Sequence, residues 1–394
     1  MNGLNSKQHV LFALRHAKYL PTPYQPEDAN RMTLGYFCLS SLALLPDPTT
    51  ISSDEGNPSN RAISTMLTPK QTQGFIDWIY QQQLPSGGFK GSNSLDGLEI
   101  ERANIIQSYT ALLNLAILDD SLQRLDRVGM VRFLAECQEQ DGSFSLFPGS
   151  TEPGDPRSTY SAFVIASILN DWSSIDVEKG LQFLDSCRRY EGGFAQRPGL
   201  EANAGPTYCA IASYSLSSRL SSLPLQSLLL RWLVDRQVPF VPPPPPSQSS
   251  ASSSSEEPGD EAPELDYDRI AGFQGRTNKP PDACYSFWTL ASLKLLAPDR
   301  LEELVDISKS NEWLLASQHP VYGGIAREPT STPDVYHTYL SLAALALSNE
   351  DGWGGLGGLD PEWNVKKSVR RRWEGRIEEL KKEKAREILE AQEK

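Results

Sequence analysis

The feature that most restricts what this chain can fold into is a short glycine–apolar turn that returns about every 50 residues. It appears as Ser86-Gly87-Gly88-Phe89, Asp141-Gly142-Ser143-Phe144, Glu191-Gly192-Gly193-Phe194, Ala271-Gly272-Phe273 and Tyr322-Gly323-Gly324-Ile325. Measured at the last apolar residue, the intervals are 55, 50, 79 and 52 residues. The long interval holds Pro242 to Pro246 and a Ser- and acid-rich run to about Glu264; removing roughly 27 residues restores the period. We read 239–265 as a disordered insertion with no evident chemistry in an otherwise regular array.

Each turn separates two helix-like segments. Before it lies an amphipathic stretch with apolar residues three and four apart, such as Val128 to Glu139, Val177 to Tyr190 or Leu304 to Gln318. After it comes a stretch that is apolar nearly all round and dense in aromatics: Ile105 to Leu118, Tyr160 to Leu169, Pro206 to Leu220, Ala283 to Leu296 and Val335 to Leu347. An earlier pair runs from Lys7 to Tyr19 and from Arg31 to Leu45. Six hairpins result. The all-round apolar helices must be buried and the amphipathic ones must cover them, so the fold expected is all-α, an α/α toroid of six helix hairpins with inner and outer rings spanning 1–365. Its centre is an aromatic funnel, open at the end where the turns lead into the inner helices and suited to a long apolar ligand.

The chain of 394 residues carries a net charge of -13, which argues against a partner bound through nucleic-acid phosphates. Residues 366–394 form a locally basic, helical tail that reads as solvated and without chemistry. Five cysteines spread along the chain do not make a disulfide framework, and no stretch approaches the length of an apolar membrane span. The N-terminus lacks a signal-peptide core, so the setting expected is reducing and cytoplasmic.

Four histidines, His9, His16, His319 and His337, limit the chemistry available. Pro281-Asp282-Ala283-Cys284-Tyr285 and Pro333-Asp334-Val335-Tyr336-His337 follow the last two turns without a gap. Tyr285 lies 12 residues after Phe273, and His337 lies 12 after Ile325. Cys284 and His337 should therefore stand in the first turns of neighbouring inner helices, with Asp282 just before Cys284. An oxygen, a sulfur and a nitrogen donor suit a zinc ion with one open position. On spacing alone other readings stay open: Asp282 as an N-cap, Cys284 as a small buried hydrophobe, His337 as a satisfied core histidine. Close by, Gly275-Arg276-Thr277-Asn278-Lys279 and Tyr285, with Arg327 after the next turn, gather cations and a phenol. They match a diphosphate head group on a lipid, or else a solvated basic face.

Gly272-Phe273-Gln274-Gly275-Arg276-Thr277-Asn278-Lys279, Asp282 through Trp288, and Asp334-Val335-Tyr336-His337-Thr338 resemble the β subunits of protein prenyltransferases, most closely of geranylgeranyltransferase type I. The resemblance implies a zinc enzyme working as an α/β heterodimer with a prenyltransferase α subunit. It implies zinc held by Asp282, Cys284 and His337, and a diphosphate set of Arg276, Lys279 and Tyr285. Arg157 resembles a residue near the peptide terminus, and Trp288 a lipid-cavity aromatic. Within Asn30 to Phe37, Thr33 stands where the farnesyl enzymes carry a Trp that shortens the cavity, which favours a twenty-carbon donor. Arg327 stands where they carry a Mg²⁺-binding Asp, so Mg²⁺ is expected to be dispensable. Two positions depart from the pattern. Asn203 replaces a His that faces the diphosphate, and Tyr336 resembles the farnesyl enzymes more than the geranylgeranyl ones.

The reaction these resemblances imply is transfer of a geranylgeranyl group from its diphosphate to the cysteine of C-terminal Cys-a-a-X proteins such as small GTPases, with X expected to be Leu. Protein farnesyltransferase and the Rab-directed enzyme are the near alternatives. A terpene cyclase would need DxDD or DDxxD, whereas Asp119-Asp120 is followed by Ser-Leu-Gln. A non-catalytic helical scaffold is the remaining rival.

Overall fold

The computed structural model of the chain describes residues 3–46, 63–240, 267–348 and 355–392. Its helices pair in chain order: α1 (Ser6–Lys18) with α2 (Arg31–Leu44), α3 (Pro69–Gln81) with α4 (Ile105–Ile117), α5 (Arg127–Cys137) with α6 (Pro156–Leu169), α7 (Val177–Ser186) with α8 (Ala204–Leu216), and α9 (Gln226–Val234) with α10 (Ala283–Leu296). After a single turn, α11 (Leu301–Leu304), the last pair is α12 (Ile307–Ala316) with α13 (Val335–Leu347).

The even-numbered helices α2 to α10 together with α13 form the inner ring. Each packs on the next, and α13 closes the circle on α2. In α4 and α6 nearly every side chain is buried, which is why these segments show no polar face. Among the described residues the fold is therefore an α/α toroid of six hairpins.

The repeated turn has a structural cause. In the five units that carry the turn, its last apolar residue bridges back to the end of the outer helix, as Gln83 with Phe89, Gln138 with Phe144, Arg188 with Phe194, Gln237 with Phe273 and Gln318 with Ile325. Phe89, Phe144, Phe194, Phe273 and Ile325 are all fully buried. Inner helices borrow the next unit's turn: the amides of Met32, Ile105, Ala204 and Ala283, at the starts of α2, α4, α8 and α10, donate to the carbonyls of Gly91, Leu146, Gly275 and Arg327, each two residues past that apolar position. Adjacent hairpins are thus tied at one rim. Gly87 has φ +96°, and a Cβ there would fall 2.1 Å from the Gly129 carbonyl oxygen of the next outer helix. Gly323, at φ +71°, meets Gln8 of α1 in the same way, so the sixth turn closes the ring onto the first helix.

Boundaries shift where caps intervene. The outer helix expected from Leu304 to Gln318 begins only at Ile307, because Asp306 caps it through the Lys309 amide, and the one expected to reach Tyr190 stops at Ser186. The Pro/Ser-rich insertion expected at 239–265 lies outside the described residues from 241 onward.

The basic tail is not simply solvated, contrary to the reading from charge. Helix α14 (Lys367–Gln392) lies against α4 and α6 and buries Val369, Trp373 and Ile377. Its Arg372 and Arg376 pair with Asp119 just past the end of α4, where cations also complement the helix dipole. A short hairpin precedes it, Leu359–Asp360 paired with Val365–Lys366, whose tip enters the toroid from the end opposite the Gly-aromatic rim. The hydroxyls of Tyr36, Tyr160, Tyr208 and Tyr339, from four inner helices, donate to backbone carbonyls of Pro361, Glu362 and Asn364 at that tip. The toroid is thereby closed below and open above. No helix among the described residues is long and apolar enough to cross a membrane.

Candidate metal centre and lipid funnel

Every inner helix from α4 onward starts on an Asn or Asp whose side chain accepts a backbone amide of the first turn: Asn104, Asp155, Asn203, Asp282 and Asp334. Their alignment at one rim makes capping and site construction the same event. Asp282 caps α10 by accepting the Cys284 amide at 2.9 Å, so the N-cap reading is correct as far as it goes. The same Oδ1 faces His337 Nε2 across 3.3 Å, and the donor atoms of Asp282, Cys284 and His337 all lie within 4.8 Å of one another. Cys284 is buried, with 5% of its surface exposed, but it is not merely a small hydrophobe, because it sits between a carboxylate and an imidazole.

Protonation behaviour fits a cation site. Burial pushes the Cys284 thiol well above its usual range, and the adjacent Asp282 adds to the effect; Tyr336 and Trp288 hydrogen-bond to it in the opposite sense. Burial works against a charged His337, but hydrogen bonds to Asp282 and Asp334 outweigh it and raise the imidazole to about 9. Burial likewise opposes an ionised Asp282, which contacts with His337 and Cys284 nonetheless hold below the usual carboxylate range. One buried and two half-buried donors sharing protons are the arrangement a divalent cation would occupy by displacing those protons. Oxygen, sulfur and nitrogen donors at this separation fit zinc.

Asp334, to which its sequence position gave no role, orients this set. It caps α13 through the His337 amide at 2.8 Å, and its second oxygen lies 2.6 Å from His337 Nδ1. A carboxylate on the far ring nitrogen fixes the tautomer and turns Nε2 toward Asp282 and Cys284. The signal for it was an acidic residue three positions before a histidine at a helix start.

Beside the donors lies a cavity of about 600 Å³ lined by Arg157, Asn203, Cys209, Arg276, Tyr285, Trp288 and Tyr336, among others. Tyr285 lies flat over Gly275, where a Cβ would come within 2.0 Å of its ring, and Asn203 Nδ2 faces its hydroxyl at 3.4 Å while Asn203 Oδ1 caps α8. Asn203 therefore acts as a neutral donor where a cation was expected. Arg276 lines the cavity but is held by Glu201 at 3.1 Å. Arg327 pairs with Glu328 at 2.6 Å, and Lys279 is exposed at the rim with its amide bonded to Gln274. Sequence reasoning missed both partners: Glu201 lies 75 positions from Arg276 with no local signature, whereas Glu328 directly follows Arg327 and was visible but unweighed. Arg157 is clamped by Asp155, which also receives Gln196.

Thr33 and Phe37 do not line this cavity. They belong to a second one of about 450 Å³ on the other side of Tyr336, which borders both. The Thr33 hydroxyl donates to Gln107 at 3.0 Å, and Phe37 stacks edge-on against Tyr336 with ring centroids 5.4 Å apart. Tyr336 is the partition between the two spaces.

Comparison with known proteins places these features in a family. The profile of the prenyltransferase alpha-alpha toroid domain matches residues 4–365. The chain is 34% identical over 376 residues to the geranylgeranyl transferase type-1 subunit beta of Dictyostelium discoideum, covering 88% of this chain and 91% of that one. It is 30% identical over 372 residues to the corresponding Arabidopsis thaliana subunit, covering 90% and 87%. The Candida albicans protein geranylgeranyltransferase-I complexed with GGPP superposes with a TM-score of 0.75 at 28% identity, covering 95% of this chain and all of the matched chain.

Proposed function

This chain belongs to the prenyltransferase alpha-alpha toroid family, and on that footing we propose that it is the catalytic β subunit of a type I protein geranylgeranyltransferase. The observation that carries the reading is the convergence of Asp282, Cys284 and His337 directly behind Trp288 and Tyr336, which contact Cys284 and line a cavity that Arg276 and Tyr285 also line. The substrates would be geranylgeranyl diphosphate and the thiol of a C-terminal Cys-a-a-X protein, with X = Leu and small GTPases among them. The partner would be a prenyltransferase α subunit, and the setting cytoplasmic, in keeping with five buried cysteines that are all free.

Zinc held by Asp282, Cys284 and His337 would supply a Lewis acid that lowers the pKa of a bound substrate thiol, so that a thiolate is present near neutral pH. The chain's own residues do the rest. Asp334 keeps His337 in the ligand tautomer. Trp288 and Tyr336 give the lipid an apolar wall and exclude water from its reacting carbon. As the carbon–oxygen bond to diphosphate stretches, charge grows on the leaving group, and Arg276, Lys279, Arg327 and the Tyr285 hydroxyl are the donors within reach of the mouth. Asn203 adds a neutral hydrogen bond through Tyr285. With Arg327 supplying positive charge there, Mg²⁺ is not required. Arg157 lies on the same wall, where a peptide carboxylate would sit, and Thr33 and Phe37 shape the space beyond Tyr336.

The test is co-expression with a prenyltransferase α subunit and donor competition on a peptide ending in Cys-a-a-Leu. Geranylgeranyl transfer without added Mg²⁺ supports the reading; preferential farnesyl transfer, or strict Mg²⁺ dependence, contradicts it.

A further inference from the structure

The family profile ends at residue 365, yet the helix just beyond it is fastened to the centre of the toroid. Arg370, one turn into α14, reaches back to the tip of the hairpin that closes the lower end. Its Nη1 donates to both Asp360 oxygens, at 3.0 and 2.9 Å, and to Glu362. Its guanidinium lies 4.9 Å from the centre of the Trp363 ring. Asp360 in turn accepts the Trp363 amide at 2.8 Å and so shapes the turn, while the Trp363 indole, fully buried, donates to Ser167 near the end of α6. A planar guanidinium satisfying two carboxylates of one four-residue turn is a rigid pin rather than a surface ion pair.

The helix that carries the pin is itself anchored. The Trp373 indole donates to the Ile168 carbonyl at 3.1 Å, and Arg372 donates to that of Ala116, also at 3.1 Å. Both are carbonyls of the last turn of an inner helix; that of Ala116 accepts the Asp119 amide as well. So α14 is held by the ring and holds the turn.

What the turn supports is the floor of the funnel. Tyr208 and Tyr160 donate to its carbonyls at 2.9 Å, and Tyr36 and Tyr339 converge on Asn364 O at 2.5 Å. The same rings carry the cavity walls: Tyr208 lies 5.2 Å from Trp288 and Tyr339 lies 6.1 Å from Phe37, centroid to centroid. Trp288 lines the first cavity and Phe37 the second.

We propose that Arg370 is a positioning residue for donor choice: by pinning the turn at 361–364 against the tyrosine layer, it fixes how deep a prenyl chain can penetrate. This inference rests on the prenyl-donor reading above. Without the pin the turn keeps its backbone bonds to the four phenols but loses the hold on Asp360, Glu362 and Trp363 that fixes its position, and the floor yields to a longer chain.

The experiment compares the wild-type heterodimer with Arg370→Ala and Arg370→Lys. Equilibrium Kd values are measured for farnesyl diphosphate, geranylgeranyl diphosphate and the twenty-five-carbon homologue, and zinc content and thermal midpoint are recorded alongside. In the wild type the longest donor should bind worst. In Arg370→Ala the ratio of the twenty-five- to the twenty-carbon Kd should fall by about tenfold, with zinc content unchanged and partial restoration in Arg370→Lys, which keeps one donor. Should Arg370→Ala fail to fold, Glu362→Gln removes one of the pin's carboxylates, and the same ratio is read. Uniform weakening towards all three donors, or an unchanged ratio in a folded variant, overturns the inference. Wild type that binds no prenyl diphosphate overturns the functional reading and this inference with it, whereas wild type that binds them with a ratio indifferent to Arg370 overturns this inference alone.

Discussion

Asp334 Oδ2 lies 2.6 Å from Nδ1 of His337, one turn along the same helix, and Nε2 of that imidazole faces the Asp282 carboxylate at 3.3 Å. The ring is held from both sides, which is how a ligand histidine is fixed before a metal arrives. Replacing Asp334 by Asn keeps the helix cap but weakens the hold on Nδ1. Zinc affinity should fall by about 10- to 100-fold with little change in thermal stability, as read by chelator competition. Unchanged affinity would remove Asp334 from the site.

Glu201 holds Arg276 at 3.1 Å. A diphosphate must displace that carboxylate, so Glu201→Gln should tighten lipid diphosphate binding several-fold, roughly 1 kcal/mol or less for so exposed a pair. Isothermal titration with the lipid diphosphate reads the effect. Weaker binding in the variant would mean that Glu201 positions Arg276 rather than competing for it.

His9 closes the ring from the other side. Its Nδ1 accepts the Gly324 amide at 2.9 Å, and its Nε2 faces Gln318 Oε1 at 3.2 Å, so the buried imidazole is neutral in the fold. Burial lowers it to about 4, only partly offset by Gln318, whereas an unfolded histidine titrates near 6.5. Between those values the unfolded chain binds the extra proton. The contribution is therefore intact above about pH 6.5 and is lost as pH falls towards 4, by up to about 1.4 kcal/mol per unit. Urea midpoints of wild type and His9→Gln, compared from pH 7 to 4.5, should converge on acidification; parallel lines would exclude His9 as the source.

Two glycine substitutions should move in opposite directions. Gly87→Ala forces φ +96° on an L-residue and puts its Cβ 2.1 Å from the Gly129 carbonyl oxygen, so it should destabilise by about 1–3 kcal/mol or more. Gly74, inside α3, has open space at its Cβ, and Gly74→Ala should stabilise by roughly 0.5–1 kcal/mol through helix propensity. Thermal midpoints of the two variants test the pair, and a stabilised Gly87→Ala would contradict the account of the turn.

The toroid was legible because its hairpins repeat: the apolar residue closing each turn, from Phe89 to Ile325, returns to the same bridge and the same buried place. The donor set was legible for the same reason, since two units aligned without a gap put Cys284 and His337 at equivalent first turns. What lay outside that pattern was set by contacts between residues far apart in the chain. Glu201 meets Arg276 across 75 positions, and Tyr36 meets Asn364 across 328, and neither partner carries a local signature. The tail misled for a related reason. Its charge count suggests solvent, but Arg370, Arg372 and Trp373 spend their donors on the hairpin turn and on helix-end carbonyls. Thr33 was placed correctly at the start of α2, yet only the structure shows Tyr336 standing between it and the larger cavity.

The most direct measurement is the metal content of the purified protein, wild type beside Cys284→Ser. The account predicts about one tightly held zinc per chain in the wild type and its loss in the variant. A metal-free wild type with prenyl transfer intact, or a Cys284→Ser protein that keeps its zinc, would contradict it.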